Sequence, residues 1–450
     1  MIRQRKSTGL ALLALLPILA VACSSTSSSR PASEPAPPSP AVKTFTPRPT
    51  FTPVAVEASV TPTAAATLTP IGMVVVPTTA PDSPAEPIET DYIQHPPERP
   101  PSPGRVVGDR TYPPGAYEFI HDQFGVPPPL GRVSDSFIES LPAMEPGLCP
   151  LSGLPVSDPA VLQRRPLAIR VGNAPAARPQ FGLAKADLVI EALAEGGVTR
   201  FTALYLCQDA DRIGPARSAR LIDLEITPMF GAVLAHVGAS QPVLDMIISS
   251  PFGDDNIDDF LGHKGFSLDP NRRRPFSTFT STAALWEQVV ARGRQHPVNL
   301  RGLVFSDTAP LNPSGPATTI SIPYRTGLSD VYYRYEATSG RYLREQAGEP
   351  FTDGGSGEQL GADTVVVVFS HVTVTQIVED SLGSLSLHHD LGGQGKALLF
   401  RDGQVWEGLW RREGENVILH YVAADGTPLA LKPGQTWVQV VPDDLAVTWE

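Results

Sequence analysis

The chain has 450 residues, a net charge of −12, 48 prolines, 38 glycines and only 7% aromatic residues. An acidic balance of this size argues against a general nucleic-acid surface, which requires clustered positive charge, and no residue pattern calls for a cofactor. The length allows about three domains, but 19 of the prolines fall between Pro31 and Pro103, so much of the first quarter has little to bury.

Arg3, Arg5 and Lys6 precede an apolar run from Leu10 to Ala22, and Ala20-Val21-Ala22 leads into Cys23-Ser24-Ser25. A basic head, a short apolar stretch and small residues before a cut form a secretory signal. The run is too short to cross a bilayer, which takes about 20 residues. A cysteine at the cut marks a lipoprotein signal. Residues 1–22 are then removed and the Cys23 thiol is acylated, with palmitate as the expected chain. The expected location is extracytoplasmic, anchored to the cell membrane by lipidated Cys23. Residues 23–145, rich in Pro, Thr, Ser and Ala, read as a disordered tether with a reach of about 60 Å as a flexible coil.

Beyond Cys23 there are two cysteines, Cys149 and Cys207. Two thiols cannot build a structural zinc site, and outside the cytoplasm they are expected to pair as a disulfide. No metal site is expected. A short helix is expected over 116–124. Firm order begins at Cys149-Pro150-Leu151, inside a first domain spanning residues 146–310. Strands are expected over 166–171, 187–194, 199–207, 233–237 and 302–306, with helical spacing over 221–232 and 282–292. The runs 187–194 and 199–207 flank Glu195-Gly196-Gly197, a hairpin signature. This mixture predicts an α+β or α/β domain with a mixed sheet. Residues 318–450 change character. Runs of β-branched and apolar residues alternate with Asp402-Gly403, Asp425-Gly426 and Pro433-Gly434 turns, predicting a β-rich antiparallel second domain.

Polar residues crowd the first domain. Asn173, Arg178, Arg200, Arg217, Ser218 and Arg220 are candidates for an anion-binding or ligand-binding site. Ser218 is placed to cap a helix, and Arg217 and Arg220 flank its start, where free N–H groups and guanidinium forks attract oxyanions. The opposing view is that these arginines pair with Asp187, Glu191, Asp223 or Glu225 and lock the fold. Glu191, Glu195, Asp223 and His236 are the candidate acid–base residues, although His236 follows an apolar run and suits a hydrogen-bonded core histidine. Neither a G-x-S-x-G elbow nor an H-E-x-x-H helix is present. Arg272-Arg273-Arg274 is a basic run whose simplest reading is a solvated face, with contact to a polyanion as the alternative.

The string from Pro166 to Gly238 carries Arg178-Pro179-Gln180, Glu195-Gly196-Gly197-Val198-Thr199-Arg200-Phe201 and Gly214-Pro215-Ala216-Arg217-Ser218-Ala219-Arg220. Together with Glu407-Gly408-Leu409-Trp410 and Pro433-Gly434-Gln435-Thr436-Trp437, it resembles the YerB-like bacterial lipoprotein family from about Cys149 onward. The resemblance implies a two-domain, membrane-anchored envelope protein, with no catalytic residue to carry over.

Three functions fit these readings. The leading one is a non-catalytic module that binds peptidoglycan, another wall component or a wall-synthesis protein. A rival is an envelope hydrolase or transferase, with Glu191, Glu195 and Asp223 as acid and base beside Arg217 and Arg220. The third is a structural spacer without a ligand.

Overall fold

The fold, a computed structural model of the chain, describes residues 100–127, 129–324 and 327–450. The leader, Cys23 and the Pro-rich stretch to residue 99 lie outside the described residues. In chain order the first half supplies β1 (Arg105–Val107), β2 (Arg110–Tyr112), α1 (Ala116–Gln123), α2 (Asp135–Ser140), β3 (Leu167–Gly172), β4 (Leu188–Leu193) and β5 (Thr199–Tyr205). It continues with α3 (Asp223–Met229), β6 (Val233–His236), α4 (Gln241–Ser249), β7 (Asn256–Asp258), β8 (Phe266–Leu268), β9 (Thr278–Thr280) and α5 (Thr282–Ala291). Then follow β10 (Gly315–Pro316), β11 (Thr319–Ile322), β12 (Val331–Glu336), β13 (Arg341–Gln346), β14 (Glu349–Pro350), β15 (Gly361–Ala362) and β16 (Thr364–Val378). The last are β17 (Leu385–Asp390), β18 (Gly393–Arg401), β19 (Gln404–Arg412), β20 (His420–Val422), β21 (Thr436–Pro442) and β22 (Thr448–Trp449).

A mixed sheet with few helices forms the first half, and antiparallel strands dominate the second. One sheet carries strands of both, in the order β10-β19-β18-β16-β21-β4-β5-β3-β6-β7. The seam is β21, which runs parallel to β16 on one side and to β4 on the other. It is therefore an exception to the antiparallel pattern. Its run Trp437-Val438-Gln439-Val440-Val441 is buried throughout, as a strand covered on both faces requires. Alternate residues feed two cores. Leu188, Ile190, Val366, Val368, Val438 and Val440 meet Leu224 and Met229 of α3 and Met246 of α4 on one face. Val189, Phe201, Val365, Val367 and Trp437 meet Ile320, Tyr333 and Tyr342 of the smaller sheet on the other. That smaller sheet runs β14-β13-β12-β11-β22.

Three sequence expectations are corrected. The tether does not extend to residue 145, because Tyr117 of α1 and Val126 just after the helix pack into the core. Residues 302–306 contribute a single bridge, Phe305 to Leu431, in place of a strand. The helix expected from Leu221 starts at Asp223, preceded by Ile222, so Ser218 does not cap it. Residues 213–218 run extended instead. Val171 bridges Ala216, the Arg217 N–H donates to the Arg170 carbonyl at 2.9 Å, and the Val237 N–H donates to the Arg217 carbonyl at 3.0 Å. The segment thus fills the gap where β3 and β6 diverge.

Candidate functional site

The predicted residues divide between the two faces of the central sheet. Glu191 of β4 sits opposite Phe201 and Gln439 in the register and is fully buried. Its Oε2 lies 2.8 Å from Nη1 of Arg344, which comes from β13 and is also fully buried. Thr199 donates its hydroxyl to Glu191 Oε1 at 2.6 Å, and Asn173 Nδ2 lies 3.1 Å from the same oxygen. The Arg344 guanidinium is enclosed by Phe351 and Trp437, each 4.8 Å from ring centroid to Cζ. Burial would lower the Arg344 pKa, but Glu191 and Tyr333 together outweigh it and the pKa is raised. The pair is a fixed ion pair inside an aromatic box, not an open acid–base site.

The second cluster lies on the helical side. The turn Glu195-Gly196-Gly197 needs left-handed backbone at both glycines (φ 68° and 73°), and it brings Glu195 back over β5. Glu195 accepts from Arg200 Nη2 at 2.5 Å, from Arg220 Nε at 2.6 Å and from Arg220 Nη2. Burial alone would raise the Glu195 pKa, but the two guanidiniums hold it down to about 2. The same Arg220 Nε lies 3.2 Å from Glu379 Oε2, which arrives from the end of β16. Arg170 of β3 pairs with Asp223 of α3 at 3.1 Å, and Asp223 also accepts the Arg220 backbone N–H at 2.7 Å. Ser218 gives its carbonyl to Arg200 Nη1 at 2.9 Å. His236 is buried with both ring nitrogens engaged, Nδ1 to the Gly238 carbonyl at 2.9 Å and Nε2 to Asn256 Oδ1 at 2.6 Å.

The expected grouping of Asn173, Arg178, Arg200, Arg217 and Arg220 around one groove is therefore only partly present. Arg200 and Arg220 are committed to Glu195, and Asn173 is buried beside Glu191. Arg178 and Arg217 remain half-buried, with no ion pair among the described residues. Arg178 donates to the carbonyls of Asn173 and Leu328, and Arg217 to that of Pro275 at 3.1 Å. Gly172 is required here, since a Cβ would lie 2.5 Å from Arg217 Cγ. Five cavities of about 270–660 Å³ among the described residues have none of the ten candidate side chains on their walls. One, of about 500 Å³, has Phe369, Trp410 and Trp449 on its walls with His371, Asp390, Lys396 and Asp443.

Cys149 and Cys207 are joined as a disulfide with Cα atoms 6.1 Å apart. Asp187 lies beside them, and its Oδ2 accepts the N–H groups of Leu206, Cys207 and Gln208. Burial raises its pKa to about 6 against those bonds. The ligand atoms of Cys149, Asp187 and Cys207 lie within 4.8 Å of one another, but oxidation removes both thiolates as metal ligands. Sequence reasoning missed Arg170, Arg344, Glu379 and the Glu225–Arg412 pair at 2.5 Å. A signal for Arg344 was available. Period-two spacing from Tyr342 places residues 342, 344 and 346 on one buried face of β13.

The family model for the N-terminal domain of a protein of unknown function, DUF3048, matches residues 151–295, and that for its C-terminal domain matches residues 320–438. The chain is 32% identical to "Putative lipoprotein YerB" of Bacillus subtilis (strain 168) over 297 residues, covering 65% of this chain and 86% of that protein. The crystal structure of YerB from Bacillus subtilis superposes with a TM-score of 0.57 at 30% identity, covering 67% of this chain and 99% of that one. Two matched domain models in the right order, a relative at this identity and a common fold agree: the chain belongs to the YerB-like, DUF3048 family of two-domain proteins.

Proposed function

We propose that the chain is a lipid-anchored extracytoplasmic envelope protein whose folded part binds a cell-wall component without transforming it. The observation that carries this reading is the fate of the three candidate carboxylates. Glu191, Glu195 and Asp223 are each held by a buried arginine, and a general acid or base must instead reach a substrate proton. Anchoring is supported by the leader ending in Cys23 and by the description of the Bacillus relative as a lipoprotein. The Cys149–Cys207 disulfide fits an oxidising exterior.

A wall-synthesis protein as partner is favoured by one feature. The β16–β17 hairpin leaves Val374, Val378, Leu382 and Leu385 exposed, and among the described residues β17 pairs with β16 alone, which leaves an edge for strand addition. The test is co-sedimentation of the mature chain, made soluble by Cys23→Ser, with purified peptidoglycan sacculi. Pelleting without released fragments is expected. Release of muropeptides would overturn the reading in favour of a hydrolase, and failure to pellet would overturn wall binding.

A further inference from the structure

Most arginines of this acidic chain form an ion pair with a carboxylate, but five on neighbouring segments form none among the described residues: Arg178, Arg217, Arg272, Arg273 and Arg274, on four of which Glu191, Glu195, Asp269 and Asp259 act only from longer range. The segments are tied together. Arg272 donates to the carbonyls of Ala177 at 3.0 Å and Pro179 at 2.9 Å, on either side of Arg178. Arg217 donates to Pro275, next to Arg274, and lies over the Phe276 ring at 5.2 Å. The loop itself is closed by backbone bonds from Asp269 to Ser277, Arg272 to Asp269 and Phe276 to Arg273. Arg272 also stacks over Phe181 and Phe279, the rings that carry the Arg212–Asp269 pair. Arg273 and Arg274 are exposed on this braced loop.

We infer that this arginine face binds an extended phosphate-bearing polyanion, such as a wall polymer with one phosphodiester per repeat. The inference rests on the wall-binding reading and names the ligand class. Guanidinium groups outside an ion pair keep N–H donors for oxyanions, and Arg273 and Arg274 present theirs to solvent. The face is open, so affinity must come from many charges on a repeating ligand, with release of its counterions, and not from enclosing one group. A phosphodiester carries its charge on tetrahedral oxygens repeated along the polymer, which arginines on separate segments can meet one after another.

The test uses the mature Cys23→Ser chain with long-chain inorganic polyphosphate, polyglutamate, and phosphatidylglycerol–phosphatidylcholine vesicles as probes. Binding to polyphosphate is expected, with affinity falling steeply with salt. Arg273→Glu with Arg274→Glu should weaken it about tenfold or more and lower the salt slope by about two. Lys396→Glu with Arg301→Glu, an equal charge change elsewhere, should leave it unaltered. Absence of polyphosphate binding, or equal loss in both double variants, overturns the inference. So does equal or tighter binding to polyglutamate, which would mean charge alone, or to vesicles, which would mean a membrane face. Sacculus pelleting that survives in the Arg273/Arg274 variant would leave wall binding standing and reject this site.

Discussion

At the scale of single residues, the candidate carboxylates are paired with arginines inside the fold. Glu195 shows this through pH. Its carboxyl sits near 2 when folded, against 4.5 when unperturbed, because two arginines outweigh its burial. A depressed carboxyl stabilises the fold fully above pH 4.5, and that contribution is lost as pH falls toward 2. Its size is on the order of 3 kcal/mol. In urea titrations from pH 5 to 2, Glu195→Gln should start less stable and lose less on acidification than the parent. Equal acid slopes for the two proteins would reject the assignment. His389 adds a second window. Burial, opposed by a bond to the Leu193 carbonyl, lowers its pKa from 6.5 to about 4. The folded ring stays neutral, so stability is complete above pH 6.5 and declines as pH falls to 4. His389→Asn should flatten that part of the profile. The sequence offered Asp187, Glu191, Asp223 or Glu225 as partners for the arginines, whereas Arg200 and Arg220 pair with Glu195. Arg344 and Glu379 were not legible as partners, because nothing local ties them to Glu191 and Arg220.

At the scale of elements, most strands were readable from alternation and turn chemistry. The β18–β19 hairpin turns at Asp402-Gly403 with φ of 53° and 72°, the conformation that Asp-Gly favours. The segment 213–220 was misread because a Ser followed by apolar spacing looks like a capped helix. Tertiary pairing with β3 and Val237 pulled it extended and moved the helix start to Asp223. The disulfide was foreseen from the compartment and the cysteine count. It closes a sequence separation of 58 residues between the start of the folded core and the end of β5. Loop-closure entropy then predicts a loss of about 4 kcal/mol for Cys149→Ser with Cys207→Ser. Thiol labelling of denatured, unreduced parent protein should find neither cysteine free, and labelling at both would refute the bridge.

At the scale of the whole molecule, the two halves recognised in the sequence share one sheet and three buried ion pairs: Glu191–Arg344, Arg220–Glu379 and Glu225–Arg412. Two matching halves were legible, since each has its own composition and turn pattern. That β21 would pair with β4 was not, because a buried apolar strand does not specify its neighbour. Calorimetry of the mature chain should therefore show one cooperative transition, with calorimetric and van't Hoff enthalpies equal, and two separated transitions would contradict a shared core. On the proposed reading the buried charges join the halves and do no chemistry. The most direct measurement is the stability and sacculus binding of Glu191→Gln, Arg344→Met and their combination. Each single variant strands a buried polar or charged partner and should cost about 3–5 kcal/mol, while the double variant should recover much of that and pellet like the parent. Singles of unchanged stability, with binding or released fragments lost in the folded double variant, would contradict the account.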